Sequence, residues 1–333
     1  MRKNGLTAPL NALQVLTWFL FPFFIIGYTV LSFLPQISVP SSLPTTGPVW
    51  DAQNYILGSL VYLFSLLGIY CGGQACSIDP IDNHLQTHLL TNPNGRSKGG
   101  PGKTFCWVCQ VHVSSSSKHC RFCEKCVHEF DHHCQWLNTC VGGKNYRPFF
   151  HCVCAVFAFT SLELVATAVL LARFYVDGED GGVRVRIVEL YGGDTGATVF
   201  AGFALAFAAA LLVTVGMIAQ LFFFHVNLQR RGITTYQYVV EDAKRCQEEG
   251  RKKKEREKTR KEEEKRRKEM GQRQVCVVCW VGGERGGGTG NGGERVDNGG
   301  AERYNSDASN SYENGVELTE MIVRDDDMKE AEI

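Results

Sequence analysis

The sequence has no surplus of either charge: 35 Lys and Arg stand against 35 Asp and Glu in 333 residues. The whole-chain balance therefore supplies no argument for a polyanionic partner. The last hundred residues are almost empty of apolar side chains. Residues 271–333 are glycine-rich up to Gly300, then acidic and serine-rich, so they bury too little to fold and are expected to form a disordered tail. Residues 13–34, in contrast, contain no charge at all. The 44% apolar content is thus an average over unlike parts, and its resemblance to a soluble protein is misleading.

The apolar residues gather into four blocks, at 13–34, 55–75, 149–174 and 197–224, each long enough to cross a bilayer. The first is longer than a signal-peptide core, and no small-residue cleavage site follows it. Pro22 lies within it, where a membrane helix tolerates a kink. Residues 35–53 form a Pro-, Ser- and Thr-rich loop with Asp51 as its one charge. The segment 76–148 carries eight Lys and Arg. The hydrophilic loop between the third and fourth blocks carries Asp177, Glu179, Asp180, Glu189 and Asp194 against Arg184 and Arg186. The positive-inside rule places segment 76–148 in the cytosol, with residues 1–12 and the C-terminal part on the same side. Within the third block Glu163 is either functional or paired with a hydroxyl of a neighbouring helix. The run Ala204, Ala206, Ala208, Ala209 and Ala210 suggests close helix packing in the fourth.

Residues 106–140 hold seven of the fourteen cysteines and five of the nine histidines. Cysteine pairs interspersed with histidine read as metal ligands kept reduced rather than as disulfides, which also suits the cytosol. The order is Cys106-x-x-Cys109, His119-Cys120-x-x-Cys123-x-x-Cys126, Asp131-His132-His133-Cys134 and Cys140. Two CxxC pairs imply two closed tetrahedral sites needing eight ligands. Six cysteines and two histidines would fill them and leave one cysteine over.

Asp131-His132-His133-Cys134 within this frame resembles the DHHC family of protein S-acyltransferases (palmitoyltransferases), whose spacing agrees at every position from Cys106 to Cys140. The resemblance implies an α-helical polytopic membrane protein. Four transmembrane helices would carry a cytosolic double-zinc module between the second and third, followed by a disordered tail. It implies one zinc on Cys106, Cys109, His119 and Cys126, a second on Cys120, Cys123, His133 and Cys140, and Cys134 as the free nucleophile. His132 would act as the base and Asp131 would orient it. The cosubstrate implied is a long-chain acyl-CoA such as palmitoyl-CoA, and the acceptors are cytosolic cysteines of membrane-associated proteins, with no nucleic acid. Phe157, Phe159 and the aromatics of the first block would wall an acyl cavity, and Trp136 would pack beside the acyl thioester. An endomembrane site, Golgi or endoplasmic reticulum, or else the plasma membrane, is a class expectation, since no Lys-Asp-Glu-Leu closes the chain.

The resemblance spans residues 79–237 and departs from the family pattern in three places. Ile81 stands where the family shows glycine after Asp79-Pro80, Gln135 where proline is commonest, and Gln237 in place of glutamate in Thr234-Thr235-Tyr236-Gln237. Two competing readings follow from the residues: a purely structural zinc module, and a membrane adaptor with vestigial transferase residues, supported by Gln135 and Gln237. Residues 92–103 read as a flexible linker and 226–246 as a juxtamembrane segment. Residues 247–270 read as a charged helix, with acid-first pairs at Glu257/Lys261, Glu262/Arg266, Glu263/Arg267 and Glu264/Lys268. Between 251 and 268 twelve basic residues face five acidic ones, a run that is either a solvated face or a contact for anionic lipid. Cys276-x-x-Cys279 stands without a second pair and reads as idle.

Overall fold

A computed structural model of the protein describes residues 1–37, 48–91, 99–176 and 182–282. The chain divides into two units, Met1–Gln237 and Tyr238–Ile333. The expectations for most of the 35–53 loop, for positions 92–98 and for the tail beyond Gly282 fall outside the described residues.

Four helices are long and apolar enough to cross a membrane: Ala12–Phe33, Gln53–Ser77, Tyr146–Val176 and Asp194–Arg231. Each matches one apolar block and overruns it at both ends or nearly so. The first comprises α1 (Ala12–Tyr28), which runs through Pro22, a π-helical turn (Thr29–Phe33) and the short α2 (Leu34–Ile37). Asn11 caps α1 by accepting from the Leu13 N–H at 2.9 Å. The others are α3 (Pro48–Ser77), α5 (Tyr146–Val176) and α7 (Asp194–Arg231), with the short α4 (Asn83–Thr91) between α3 and α5. Helix α5 packs against both α3 and α7. Leu63, Leu66 and Tyr70 of α3 and Phe203, Leu212 and Met217 of α7 are exposed, an apolar outer surface that suits lipid rather than water.

Three details differ from the sequence expectation. The loop between the last two long helices contains α6 (Gly182–Leu190), because Val183 and Ile187, one turn apart, bury against Leu170, Phe174, Ala197 and Phe200. In the alanine run only Ala204 is fully buried; Ala206 and Ala209 face outward, since the inner stripe recurs every three to four residues through Ala197, Ala201, Ala204, Phe207 and Leu211. Close approach instead uses Gly27 of α1, where a Cβ would lie 2.5 Å from the Phe207 ring. Glu163 is fully buried, and no hydroxyl bonds its carboxylate among the described residues.

The cysteine-rich segment folds as three antiparallel hairpins. These are β1–β2 (Lys103–Cys106, Val111–Ser114), β3–β4 (Lys118–Cys120, Lys125–Val127) and β5–β6 (His132–Cys134, Thr139–Val141). Their turns are equivalent. Cys106, Cys120 and Cys134 recur fourteen residues apart at the ends of the first strands, and Gln110, Glu124 and Asn138, at the same interval, take positive φ of 56°, 54° and 54°. The sequence reading missed this repeat, although the interval was there to be counted.

The first eleven residues strap this module to the helices. The Arg2 N–H donates to the Cys123 carbonyl at 2.9 Å, and that of Gly5 to Cys76 at 2.8 Å. A Cβ on Gly5 would meet the Leu137 carbonyl at 2.1 Å, so only glycine fits. Lys125, fully buried, spends its three donors on the Arg2 and Lys3 carbonyls and the Asp79 carboxylate at 2.7, 2.9 and 2.5 Å. Ile81 fills an apolar core with Leu85, Val111, Val113 and Cys126, space that a glycine would leave empty.

The last helix, α8 (Thr235–Gly282), is longer than the expected charged helix at both ends. No proline interrupts it, so residues 271–282, expected to be disordered, continue it. Two of the four acid-first pairs close at 2.8 Å, Glu257 with Lys261 and Glu264 with Lys268.

Asp82 joins α4 to β2. Its Oδ1 accepts from the N–H groups of His84 and Leu85, and its Oδ2 from the Ser114 N–H and the Ser117 hydroxyl. Burial raises its carboxyl pKa, but these hydrogen bonds outweigh it and hold the group below the usual carboxylate range. The Asp82→Ala variant should lose roughly 3 kcal/mol at neutral pH, the sum of a lost cap and buried hydrogen bonds. Because the folded-state pKa is depressed, that stability is present above the unfolded value of ~3.9 and is lost as pH falls through the folded one. Thermal midpoints of wild type and variant in detergent, followed by circular dichroism, should differ at pH 7 and converge below about pH 4.

Candidate active site and metal clusters

The hairpins interleave two clusters of donors. The turn of β1–β2 supplies Cys106 and Cys109, and the cross-strand pair His119/Cys126 of β3–β4 completes the first group. The turn of β3–β4 supplies Cys120 and Cys123, and the cross-strand pair His133/Cys140 of β5–β6 completes the second. The eight residues expected as ligands thus meet four by four. In the first cluster His119 Nδ1 lies 3.8, 3.3 and 3.9 Å from the sulfurs of Cys106, Cys109 and Cys126. In the second His133 Nδ1 lies 3.8, 3.4 and 3.6 Å from those of Cys120, Cys123 and Cys140. Bonds of ~2.1–2.3 Å to a tetrahedral zinc put neighbouring ligands ~3.4–3.8 Å apart, so both groups could hold such an ion without rearranging. All the cysteines involved are free thiols.

The third hairpin departs from this plan, and the departure makes the site. Leu137 occupies the position of Cys109 and Cys123, so Cys134 has no partner in its own turn. Side chains alternate along a strand. In β5 His133 turns to the second cluster, while His132 and Cys134 extend from its opposite face. His132 Nδ1 lies 2.6 Å from Asp131 Oδ2, which leaves Nε2 to serve Cys134 on the same face of the strand. Burial draws the His132 pKa down, but the interactions with Asp131 and Cys134 prevail and raise it to about 9. Burial raises the Asp131 carboxyl, yet the hydrogen bonds from His132 and Thr235 hold it below the usual range.

Thr235 reaches Asp131 because the chain turns sharply after α7. Gly232, in the left-handed region at φ 66°, ends α7, and the Ile233 N–H closes back on Leu228 at 3.2 Å. Thr234 and Gln237 then form a capping box at the start of α8: Gln237 Oε1 accepts from the Thr234 N–H at 2.9 Å, and the Thr234 hydroxyl accepts from the Gln237 N–H at 3.2 Å. Thr235, the next residue, donates its N–H to Asp131 Oδ1 at 2.9 Å and its hydroxyl to Oδ2 at 2.7 Å. Gln237 therefore acts on the turn and leaves Asp131 to Thr235, and a neutral amide serves in such a box as well as a carboxylate. Gln135 begins the β5–β6 turn, where its carbonyl accepts from the Asn138 N–H at 3.3 Å. Trp136 lies in the same turn, 43% exposed.

Several residues here carried no sequence signal. Asn145, fully buried, accepts from the Gly142 N–H and donates to the carbonyls of Ala75 and Cys140, tying α3, β6 and α5 together. Asn138 donates to the carbonyls of Gly5 and Pro9. His225 of α7 comes beside Asp131 and His132. Long-range contacts of this kind leave no local pattern to read.

Residues 100–242 match the family model described as DHHC palmitoyltransferase. Among curated proteins the chain is 38% identical over 203 residues to "Probable protein S-acyltransferase 19" of Arabidopsis thaliana, an alignment covering 60% of this chain and 27% of the relative. It is 35% identical over 263 residues to "Palmitoyltransferase ZDHHC1" of Mus musculus, covering 72% and 51%. It is 27% identical over 263 residues to "Palmitoyltransferase ZDHHC11" of Homo sapiens, covering 73% and 60%. The chain thus spans about half the length of the mouse relative and about a quarter of the plant one.

Metal analysis of the purified protein should find about two ions per chain, one for each closed tetrahedral donor set. Cys126→Ser and Cys140→Ser should each lose about one of them, because each removes a ligand from a different cluster. Equal loss of both ions in either variant would instead mean that the clusters form only together.

Proposed function

Since residues 100–242 match the DHHC palmitoyltransferase family model, we propose that the chain is a protein S-acyltransferase that moves a long-chain acyl group, palmitoyl foremost, from acyl-CoA to cysteine thiols of membrane-associated proteins. The observation that carries this reading is Cys134 on the face of β5 opposite the metal cluster, beside His132, with Asp131 hydrogen-bonded to Nδ1 of that ring. A thiolate is the nucleophile, and it forms readily beside a base held in one tautomer by a third group.

In the first step His132 takes the Cys134 proton and the sulfur attacks the thioester carbonyl. A new C–S bond forms on Cys134, the bond to CoA breaks, and CoA leaves as the thiol. In the second step the acceptor cysteine gives its proton to His132 and attacks the acyl-enzyme, which returns Cys134 as a thiol. Asp131, held by two hydrogen bonds from Thr235, keeps the imidazole in the useful tautomer throughout. Trp136, two residues from the nucleophile and partly exposed, is placed to lie along the thioester. The eight clustered residues would hold two zinc ions whose contribution is to shape the module, as four protein ligands leave no open coordination position. The aromatic packing of Phe21 on Phe159 and of Phe157 on Phe222 supports an acyl chain lying among the helices. The excess of Lys and Arg in segment 76–148 supports a cytosolic module and cytosolic termini. The adaptor alternative loses its main support, because Gln237 keeps the turn that a glutamate would make.

Purified protein incubated with a clickable palmitoyl-CoA should take up hydroxylamine-labile label. Cys134→Ser should retain both metals and take up none; label on that variant, or none on wild type with metals intact, sinks the proposal. Thr235→Val, which removes one of two donors to Asp131, should slow labelling by roughly tenfold, the equivalent of one buried hydrogen bond to a charged group.

A further inference from the structure

The mechanism uses Asp131 to hold one nitrogen of His132, but a single hydrogen bond leaves the ring able to pivot about that axis. Something else must fix its plane, and the surroundings of His132 show what does. The ring lies 5.3 Å from Phe149 at 69° and 5.9 Å from His225 at 41°. Phe149 and His225 also meet each other, at 5.0 Å and 73°, so the three rings close a triangle. His225 is fully buried, and its Nδ1 is hydrogen-bonded to the Tyr146 hydroxyl at 3.2 Å. Tyr146 and Phe149 sit one turn apart at the start of α5, and His225 lies near the end of α7. Two membrane helices therefore grip the ring that the module presents.

Asp131, His132 and His225 are also close enough together to suggest a third metal site. The geometry speaks against it. Asp131 Oδ2 and His132 Nδ1 are 2.6 Å apart, a hydrogen bond, whereas two ligands on one tetrahedral ion would stand ~3.3 Å apart. Both carboxylate oxygens are already engaged by Thr235.

We propose that His225 is a positioning residue for the acyl transfer: anchored by Tyr146, its ring forms with Phe149 the wall that holds the His132 imidazole in the plane where Nε2 faces Cys134. This rests on the reading of His132 as the base, and it adds that the competence of the module depends on α7 as well as on its own fold. It gives the last span a part in the chemistry. Nothing in the local sequence marks His225, since Phe149, Tyr146 and His132 are 76 and more residues away.

The test is the rate at which iodoacetamide alkylates Cys134 at neutral pH in the full-length protein in detergent, read by peptide mass spectrometry, with metal content and thermal midpoint measured beside it. This readout needs no acyl donor. His132→Ala sets the rate without a base. His225→Ala should slow alkylation by roughly tenfold, a share of the 10²–10⁴ that a well-placed base contributes. His225→Phe, which restores a planar wall, should recover to within about threefold of wild type, with both metals kept throughout, as a small change in ring placement allows. Wild-type alkylation in His225→Ala overturns the proposal, and so does a folded His225→Phe as slow as the alanine variant. Should His225→Ala lose metal, His225→Leu, which fills the volume without a plane, takes its place with the same two outcomes. Failure of wild type to take label from palmitoyl-CoA would remove the transferase reading and leave the alkylation comparison standing.

Discussion

The structure turns on a short strand whose successive side chains must point in opposite directions. In β5 that alternation sends His133 into a closed group of three thiols and leaves His132 and Cys134 on the other face. Once His133 is placed in that group, the strand cannot slip by one residue without exchanging its two faces, so the arrangement of His132 and Cys134 is set by that of the cluster. The cross-strand partner of His133 is Cys140, a ligand of the same group, which locks the register from the other side.

The interleaving extends this constraint to the whole module. The middle hairpin gives its strands to one cluster and its turn to the other, so neither site forms from a single local segment. Three hairpins share one turn geometry, and the third has been altered at a single position: Leu137 in place of a cysteine leaves Cys134 without a metal partner. A free cysteine thus stands where the other two hairpins place a residue of a metal-binding group, on the same backbone. The non-glycine residues Gln110, Glu124 and Asn138 accept a left-handed conformation at these turns, each at about 1 kcal/mol, which the surrounding cross-links sustain.

A module of small hairpins has little core of its own, and the helices supply the rest of its order. Lys125 and Asn138 bind the N-terminal strap, Asn145 joins the ends of α3 and β6 to the start of α5, and Thr235 holds Asp131 from the turn after α7. These are buried polar groups with their hydrogen bonds satisfied, which specify one arrangement where apolar packing alone would admit several. The same contacts place the face of β5 that carries His132 and Cys134 at the ends of the long helices.

The sequence by itself determined the four apolar helices, the eight clustered donors, the leftover Cys134 and its neighbours Asp131 and His132. These are legible because hydrophobic length and ligand spacing are local properties. It misjudged features whose meaning depends on what lies opposite: α6 looked like loop because its two buried residues are outnumbered by charges, the alanines looked like an interface that Gly27 in fact provides, and Gln237 looked like a lost charge until its partner proved to be Thr234. Only the tertiary structure decided which histidine nitrogen faces the sulfurs, that Thr235 serves Asp131, and that His225 stands against His132. The last two pairings join residues 104 and 93 positions apart, and their energy comes from burial and direction, which no spacing along the chain records.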